Sequence, residues 1–172
     1  MVENIQMSDP HAGMTSFQEC LLKGVVKVEP VTQHIDLYSY VDVPEPGVNR
    51  LTYARLDKNQ KIVKAFLSCV PNGQFNGHLC IAVGYAVPEK YRNLGYAKNI
   101  LRDVVQDLIF QASRNGKKVL VIEAVIDQLN LASQRVAETV LQGDRECITD
   151  SISQKAAFRY TATFNTADGS KI

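Results

Sequence analysis

Two apolar runs joined by one amphipathic helix constrain the fold of this chain more than any other feature. The runs are HLCIAVGYAV at residues 78–87 and KVLVIEAVI at residues 118–126. A strand–helix–strand unit of this length implies parallel pairing of its strands, and the unbroken second run is typical of a strand buried on both faces. The segment therefore predicts the centre of an α/β sheet. The helix is indicated by apolar residues at helical spacing, namely Ala97, Ile100, Leu101, Val104, Leu108 and Ala112.

The residues just before this unit predict antiparallel strands. RLTYARL (50–56) and KIVKAFLSCV (61–70) are separated by the short connection 57–60, which is typical of a hairpin. The run at 78–87 then follows through the turn-rich PNGQFNG (71–77). Sequential strands with short links pair antiparallel, so the whole sheet is predicted to be mixed.

The N-terminal third of the chain carries weaker patterns. We expect residues 1–15 to be poorly ordered, because they are polar and hold a proline and a glycine. Ser16 and Glu19 match a capping box, which predicts a short helix that ends at Gly24. Residues 25–48 contain three prolines and are interpreted as a strand fragment, a segment without a clear pattern, and a loop.

The C-terminal part of the chain predicts one further helix and two strands. NLASQRVAETVL (130–141) has apolar residues spaced by four, which favours a helix. ECITDSI (146–152) and AAFRYTATF (156–164) are rich in strand formers and are expected to close the sheet.

Composition limits the function classes. A chain of 172 residues with 45% hydrophobic content suits a single domain spanning residues 1–172. The net charge of +1 gives no global field for nucleic acid or an anionic membrane. The four cysteines are far apart and the three histidines form no metal set, so reduced thiols and no metal are expected. Neither an export signal nor a bilayer-spanning run is present, and we expect a soluble cytoplasmic protein.

The turn between the first strand and the helix suits an anion. Pro88 lacks a backbone N–H and ends the strand, while Gly95 permits a conformation or a close approach that a side chain would block. The amides of residues 93–97 would then converge at the positive end of the helix dipole, where a pyrophosphate could bind, and Arg92 could add a charged donor. The alternative is an ordinary turn without a ligand. The segment is neither a Gly-x-Gly-x-x-Gly fingerprint nor a P-loop.

Two motifs in order resemble the GNAT acyltransferases. The turn RNLGYA (92–97) resembles the Arg/Gln-x-x-Gly-x-Gly/Ala turn of that superfamily, and VIEAVIDQLNLASQRVAETV (121–140) resembles its next strand and helix. Asn130 and Ser133 lie at the spacing seen in branches that modify protein amines. The resemblance covers about residues 61–141 and is specific in the combination of the two motifs.

This resemblance implies a GNAT-like three-layer α/β fold. Its central mixed sheet would splay between the fourth and fifth strands, near residues 78–87 and 118–127, and acetyl-CoA would place its pantetheine arm in the gap. The residues implied as coenzyme ligands are Tyr85, Ala86 and Val87 through their backbone, the turn residues Arg92, Asn93, Leu94, Gly95, Tyr96 and Ala97, and the pair Asn130 and Ser133. Asn130 could also be the N-cap of its helix, and Ser133 could simply bond the backbone.

Candidate catalytic residues follow less directly. Glu123 is the best candidate general base, because a carboxylate inside an apolar strand is costly unless it is partnered. Its alternative interpretation is a carboxylate on an open face that pairs with a lysine or arginine. Many relatives use a tyrosine as general acid where this chain has Ala137. Tyr85 and Tyr160 are the possible substitutes, although tyrosine is more often a core residue.

These interpretations favour an N-acetyltransferase that moves the acetyl group of acetyl-CoA to a primary amine by direct attack in a ternary complex. The acceptor could be a protein N-terminus, a lysine or a small-molecule amine, and Asp36, Asp42 and Glu45 could attract a cation or simply be solvated. A catalytically silent acyl-CoA sensor is the first alternative, and an unrelated phosphate-binding α/β protein is the second. A homodimer is possible by analogy with relatives.

Overall fold

The structure is a computed structural model that describes residues 9–172. Within this range the strands form one mixed sheet with the hydrogen-bonded order β1-β2-β3-β4-β5-β6-β8-β7, where the numbers follow the chain. The elements are α1 (Pro10–Leu22), β1 (Glu29–Pro30), β2 (Leu37–Glu45), β3 (Val48–Leu56), β4 (Val63–Phe75), β5 (His78–Ala86), a 3₁₀ turn (Glu89–Tyr91), α2 (Tyr96–Arg114), β6 (Val119–Asp127), α3 (Leu131–Val140), β7 (Asp144–Thr149) and β8 (Ala156–Asn165). The predicted mixed α/β fold is confirmed.

Contacts divide the described chain into two compact units. The α1 unit comprises residues 9–70 and Gly84–Val104, and the β6 unit comprises Pro71–Val83 and Val105–Ile172. The single domain over residues 1–172 therefore stays a prediction. In the described part of the chain, no helix combines the length and the apolar character that crossing a lipid bilayer requires.

The core of the α1 unit is built where α1 packs on β3 and β4. The helix buries Met14, Phe17 and Leu21 against Ala54, Leu56, Val63 and Phe66. The helix begins at Pro10, and the side chain of Asp9 accepts a hydrogen bond from the amide of His11 at 3.1 Å. The capping box at Ser16 was wrong, and so was the poor order expected for residues 10–15, because an Asp N-cap followed by Pro starts the helix earlier. Residues 1–8 lie outside the described residues.

The loop expected before residue 48 is largely a strand. β2 pairs antiparallel with β3 from Leu37↔Arg55 to Glu45↔Val48, with a shift of register after Asp42. Pro44 lies within that irregular step, where the missing N–H of a proline is tolerated. β2 therefore takes up part of the segment without a clear pattern and reaches into the predicted loop as far as Glu45, whereas β1 corresponds to the predicted strand fragment.

The predicted pairing around the centre of the sheet is confirmed. β3 and β4 are antiparallel from Leu51↔Cys69 to Leu56↔Val63, and β5 and β6 are parallel. β4 continues to Phe75, so only Asn76 and Gly77, with φ of 50° and 79°, form the two-residue turn before β5. The turn expected over 71–77 is thus shorter, and Gly73 adopts φ 63° inside β4, as in a β-bulge.

The β6 unit has α3 on one side of its strands. β6 pairs antiparallel with β8 along its whole length, from Val119↔Asn165 to Asp127↔Ala157, and β7 pairs with the other edge of β8. These elements confirm the predicted second helix and the two closing strands. Gly143 precedes β7 at a very close approach, since a Cβ there would lie 2.0 Å from the carbonyl oxygen of Thr161.

The close approach at Gly143 generates a stability prediction. We expect Gly143→Ala to destabilise the protein by about 3 kcal/mol, because the methyl group must push the β8 backbone away. Gly24→Ala is the control, since Gly24 has φ +68° and nothing within 4 Å of its would-be Cβ, and it should cost about 1 kcal/mol for its left-handed backbone alone. Urea denaturation measures both values, and equal losses would contradict the close packing.

Candidate active site

The turn between β5 and α2 has the backbone shape of an anion site. Asn93 and Gly95 adopt left-handed conformations, with φ of 60° and 82°. Nε of Arg92 donates a hydrogen bond to the carbonyl oxygen of Val87 at 3.1 Å, which ties the exit from β5 to the turn. The amide of Asn99 donates to the Gly95 carbonyl at 3.0 Å, so the first turn of α2 follows directly on the glycine.

The amide groups of this turn are the donors available to a ligand. Among residues 9–172, no protein acceptor is bonded to the backbone N–H of any residue from Asn93 to Ala97. Asn93, Leu94 and Gly95 are exposed, and α2 then extends for 19 residues behind them. The turn is braced at its flanks, since the Tyr91 and Tyr96 rings lie edge to face with centroids 5.8 Å apart.

A parallel ladder joins β5 to β6. β5 and β6 are in register from Leu79↔Leu120 to Ala82↔Glu123, while β5 continues to Ala86 and β6 to Asp127. β6 remains paired with β8 as far as Asp127. The predicted divergence of the two strands beyond these pairs stays a prediction.

Asn130 and Ser133 occupy the start of α3. The side-chain oxygen of Asn130 accepts a hydrogen bond from the amide of Ser133 at 3.1 Å, so the N-cap interpretation of Asn130 is confirmed. The coenzyme roles of both residues stay predictions. Ala137, where many relatives have a tyrosine, is fully buried, so this position presents no side chain to a ligand.

Glu123 lies in a polar row that crosses the β6 unit. Its side chain is buried, with 7% of the residue exposed, and its Oε1 accepts a hydrogen bond from Asn72 Nδ2 at 2.9 Å. Arg159 Nε lies 3.4 Å from Glu123 Oε2, and Arg159 Nη1 lies 3.5 Å from Glu146 Oε2. The pairing of Glu123 with an arginine is therefore confirmed, although the carboxylate is buried and not on an open face.

The surroundings of Cys80 show that the Glu123 end of this row is shielded from solvent. Cys80 is 2% exposed, and burial together with the nearby charge of Glu123 raises the pKa of its thiol to about 12, against the opposing effect of Arg159. Burial favours the neutral thiol, and the negative field of Glu123 acts in the same direction.

Tyr160 is not brought to Glu123. Its hydroxyl donates a hydrogen bond to Glu138 Oε1 on α3 at 3.2 Å, and burial raises the pKa of Tyr160. Successive residues of a strand point to opposite faces, so Tyr160 and Arg159 lie on opposite sides of β8. Tyr85 belongs to the α1 unit and is 8% exposed. The general-acid roles of Tyr85 and Tyr160 stay predictions.

Sequence reasoning missed Asn72 and Arg159. Asn72 precedes Gly73 in a segment that reads as a turn, and the positive φ of that glycine inside a strand was the available signal. Arg159 has the same strand parity as Thr161 and Thr163, which placed it on one face of β8 but gave no partner.

The state of Cys80 can be tested by alkylation. At pH 8 we expect iodoacetamide to label the exposed Cys147 and to leave Cys80 unlabelled in the native protein, because Cys80 is buried and is almost entirely protonated. Peptide mass spectrometry reads the label at each cysteine, and labelling in denaturant is the control that all four react. Rapid native labelling of Cys80 would contradict the dry environment of Glu123.

Structural comparison gives the fold. No protein-family model matches the sequence, and no curated protein is similar to it. The ribosomal-protein-S5-alanine acetyltransferase from Vibrio fischeri superposes with TM-score 0.50 and 17% identity over 70% of this chain and 64% of its own. A GNAT-family acetyltransferase from Bacillus anthracis gives TM-score 0.46 and 18% identity over 67% and 66%. A Salmonella typhimurium protein solved with its cofactor acetyl-CoA gives TM-score 0.41 and 18% identity over 70% and 65%.

Each of these matches spans less than two thirds of the neighbour's own length. At this level of identity the agreement concerns the fold alone, a mixed α/β sheet with helices. The resemblance stated from the sequence is confirmed at that level: the chain has the fold of the GNAT acetyltransferase superfamily.

Proposed function

We propose that this protein is an acetyl-CoA-dependent N-acetyltransferase. The observation that carries the proposal is the run of amides from Asn93 to Ala97, which has no bonded protein acceptor among the described residues and stands at the start of a long helix. Such a run, together with the helix dipole, suits the diphosphate of a coenzyme. Arg92 is exposed beside it and adds a charged donor.

The strand before the turn supports the same ligand. An extended ligand with two amides can pair with the backbone of a strand as an added strand would. We propose that the backbone of Tyr85, Ala86 and Val87 binds the pantetheine arm. The Val87 carbonyl already accepts one hydrogen bond from Arg92, and the amide of Val87 is the donor proposed for the pantetheine arm.

In this proposal acetyl-CoA supplies the acetyl group as a thioester. The amides of the turn bind and orient the donor, and a backbone N–H of β5 binds the thioester oxygen. Glu123 takes the proton of the acceptor ammonium at a carboxylate oxygen, directly or through one water, because only a neutral amine can attack. Asn130 and Ser133 are retained as further coenzyme ligands.

The acceptor is proposed only as a primary amine. The protein superposed with TM-score 0.50 is an S5-alanine acetyltransferase, which supports acetyl transfer as the activity. Asp42 does not offer a free charge to a cationic acceptor, since it is ion-paired with Arg50, whose Nε lies 3.0 Å from Asp42 Oδ1. A protein N-terminus, a lysine and a small-molecule amine are the candidates.

A catalytically silent acyl-CoA sensor is the second candidate. Two observations favour it: Ala137 is buried where relatives have tyrosine, and Glu123 is already partnered by Arg159. We also propose a cytoplasmic location, since the four cysteines are free thiols. A single domain and a homodimer are proposed from the resemblance alone.

The coenzyme site is tested by Gly95→Glu. The new side chain puts bulk and negative charge among the turn amides at a left-handed position, and we expect it to abolish retention of CoA in native mass spectra. Gly116→Glu is the matched control, because Gly116 also has a positive φ, at the far end of α2. If both variants lose CoA binding, or if neither does, the turn is not part of the coenzyme site.

The catalytic role of Glu123 is tested by Glu123→Gln, which nearly keeps the volume and can still bond Asn72. We expect kcat to fall by roughly 10²- to 10⁴-fold, the usual contribution of a general base, with CoA retention unchanged. Thiol release from acetyl-CoA in the presence of a panel of primary amines measures the rate. Glu19→Gln on the exposed side of α1 is the control. A wild-type rate in Glu123→Gln would assign Glu123 to structure, and a wild type that binds CoA without any transfer would favour the sensor.

A further inference from the structure

The polar row of the β6 unit has an unbalanced charge. The side chains in contact are Asn72, Glu123, Arg159 and Glu146, that is, two carboxylates and one guanidinium. Arg159 lies at similar distances from both carboxylates, 3.4 Å from Glu123 and 3.5 Å from Glu146. The contacting groups can therefore accommodate one additional positive charge.

Arg159 is not locked onto Glu123. Its Nε is buried and has no hydrogen-bond partner among the described residues, so the 3.4 Å approach to Glu123 is an ion pair without an aligned hydrogen bond. Glu146 lies on the edge strand and its side chain is 67% exposed, whereas the side chain of Glu123 is 9% exposed. Asn72 holds the other oxygen of Glu123 independently of the arginine.

At neutral pH a primary amine is an ammonium ion, so its binding would bring a second cation to Glu123. A second cation beside a buried carboxylate that already faces Arg159 would be repelled by the guanidinium. The repulsion is relieved if Arg159 turns towards Glu146, since both carboxylates are then singly paired.

We propose that Arg159 is a positioning residue that exchanges partners. It pairs with Glu123 in the absence of acceptor, and it moves to Glu146 when the acceptor ammonium binds at Glu123 Oε2, while Asn72 keeps the Glu123 side chain in place. This inference rests on the proposed function and assigns the acceptor to the class of monocationic primary amines. No covalent bond changes in the exchange.

The test compares Glu146→Gln with Arg159→Gln. The acceptors are a peptide that begins with alanine, a lysine peptide with a blocked N-terminus, and 2-phenylethylamine, each assayed at saturating acetyl-CoA. In Glu146→Gln the arginine has only Glu123 left, so we expect the amine KM to rise by about threefold or more, in line with the loss of an exposed ion pair. The KM for acetyl-CoA should stay unchanged.

In Arg159→Gln the amine KM should fall, because Glu123 then lacks a competing cation. We also expect kcat to fall about tenfold or more, since the carboxylate is held by one oxygen only, and Arg159→Lys should recover part of this loss. Opposite changes of the amine KM in the two variants are the expected signature. A purely structural arginine would lower the thermal stability and all rates together.

The outcomes separate the inference from the proposed function. If Glu146→Gln has the same amine KM as the wild-type enzyme, the partner exchange is wrong and the proposed acetyltransferase activity still stands. A wild type that retains CoA and acetylates none of the three amines would overturn the exchange together with the enzymatic proposal. If Arg159→Gln does not fold, the amine KM of Glu146→Gln still tests the exchange, because Glu146 is exposed at the edge of the sheet and its substitution does not disturb the core.

Discussion

The parallel ladder between β5 and β6 is the constraint on which the rest of the structure depends. Its register joins Leu79 to Ala82 with Leu120 to Glu123. Backbone N–H and C=O groups need partners, and along these register pairs the two strands supply them to each other. In the same chain segment, Pro88 and the left-handed Asn93 and Gly95 convert strand into helix with a run of available amides.

The structure also has to compensate the buried charge of Glu123. Glu123 sits at the last register pair of that ladder, in surroundings dry enough to keep Cys80 protonated far above neutral pH. A carboxylate there needs compensation, and Asn72 and Arg159 supply it from two other strands. In the α1 unit the same solution recurs, because Asp103 on α2 is paired with Arg55 and approached by His34 Nδ1 at 3.8 Å.

The local sequence pattern was sufficient to predict the elements that have a long apolar repeat or a characteristic turn or cap. The strand–helix–strand unit, the β3–β4 hairpin and the N-cap at Asn130 follow from apolar spacing and turn chemistry. The start of α1 did not, because its packing of Met14 and Phe17 on Phe66 is a tertiary contact that a polar-looking start conceals. β2 was missed because Pro44 within it and Pro46 just after it argue against a strand, although an irregular step admits Pro44. The partners of Glu123 could not be predicted from the sequence, because Asn72 and Arg159 are 51 and 36 positions away from it along the chain, respectively.

The burial of Ala137 limits how this scaffold could evolve or be redesigned. A tyrosine at that position would have to displace the tight seam between α3 and the sheet, where Ala137 has no exposed surface. Several neighbouring side chains would need to shrink at the same time, so a phenol cannot be introduced there by one substitution. Residue 137 therefore serves the packing of α3, and any polar group needed near it must be placed on another side chain or come from solvent.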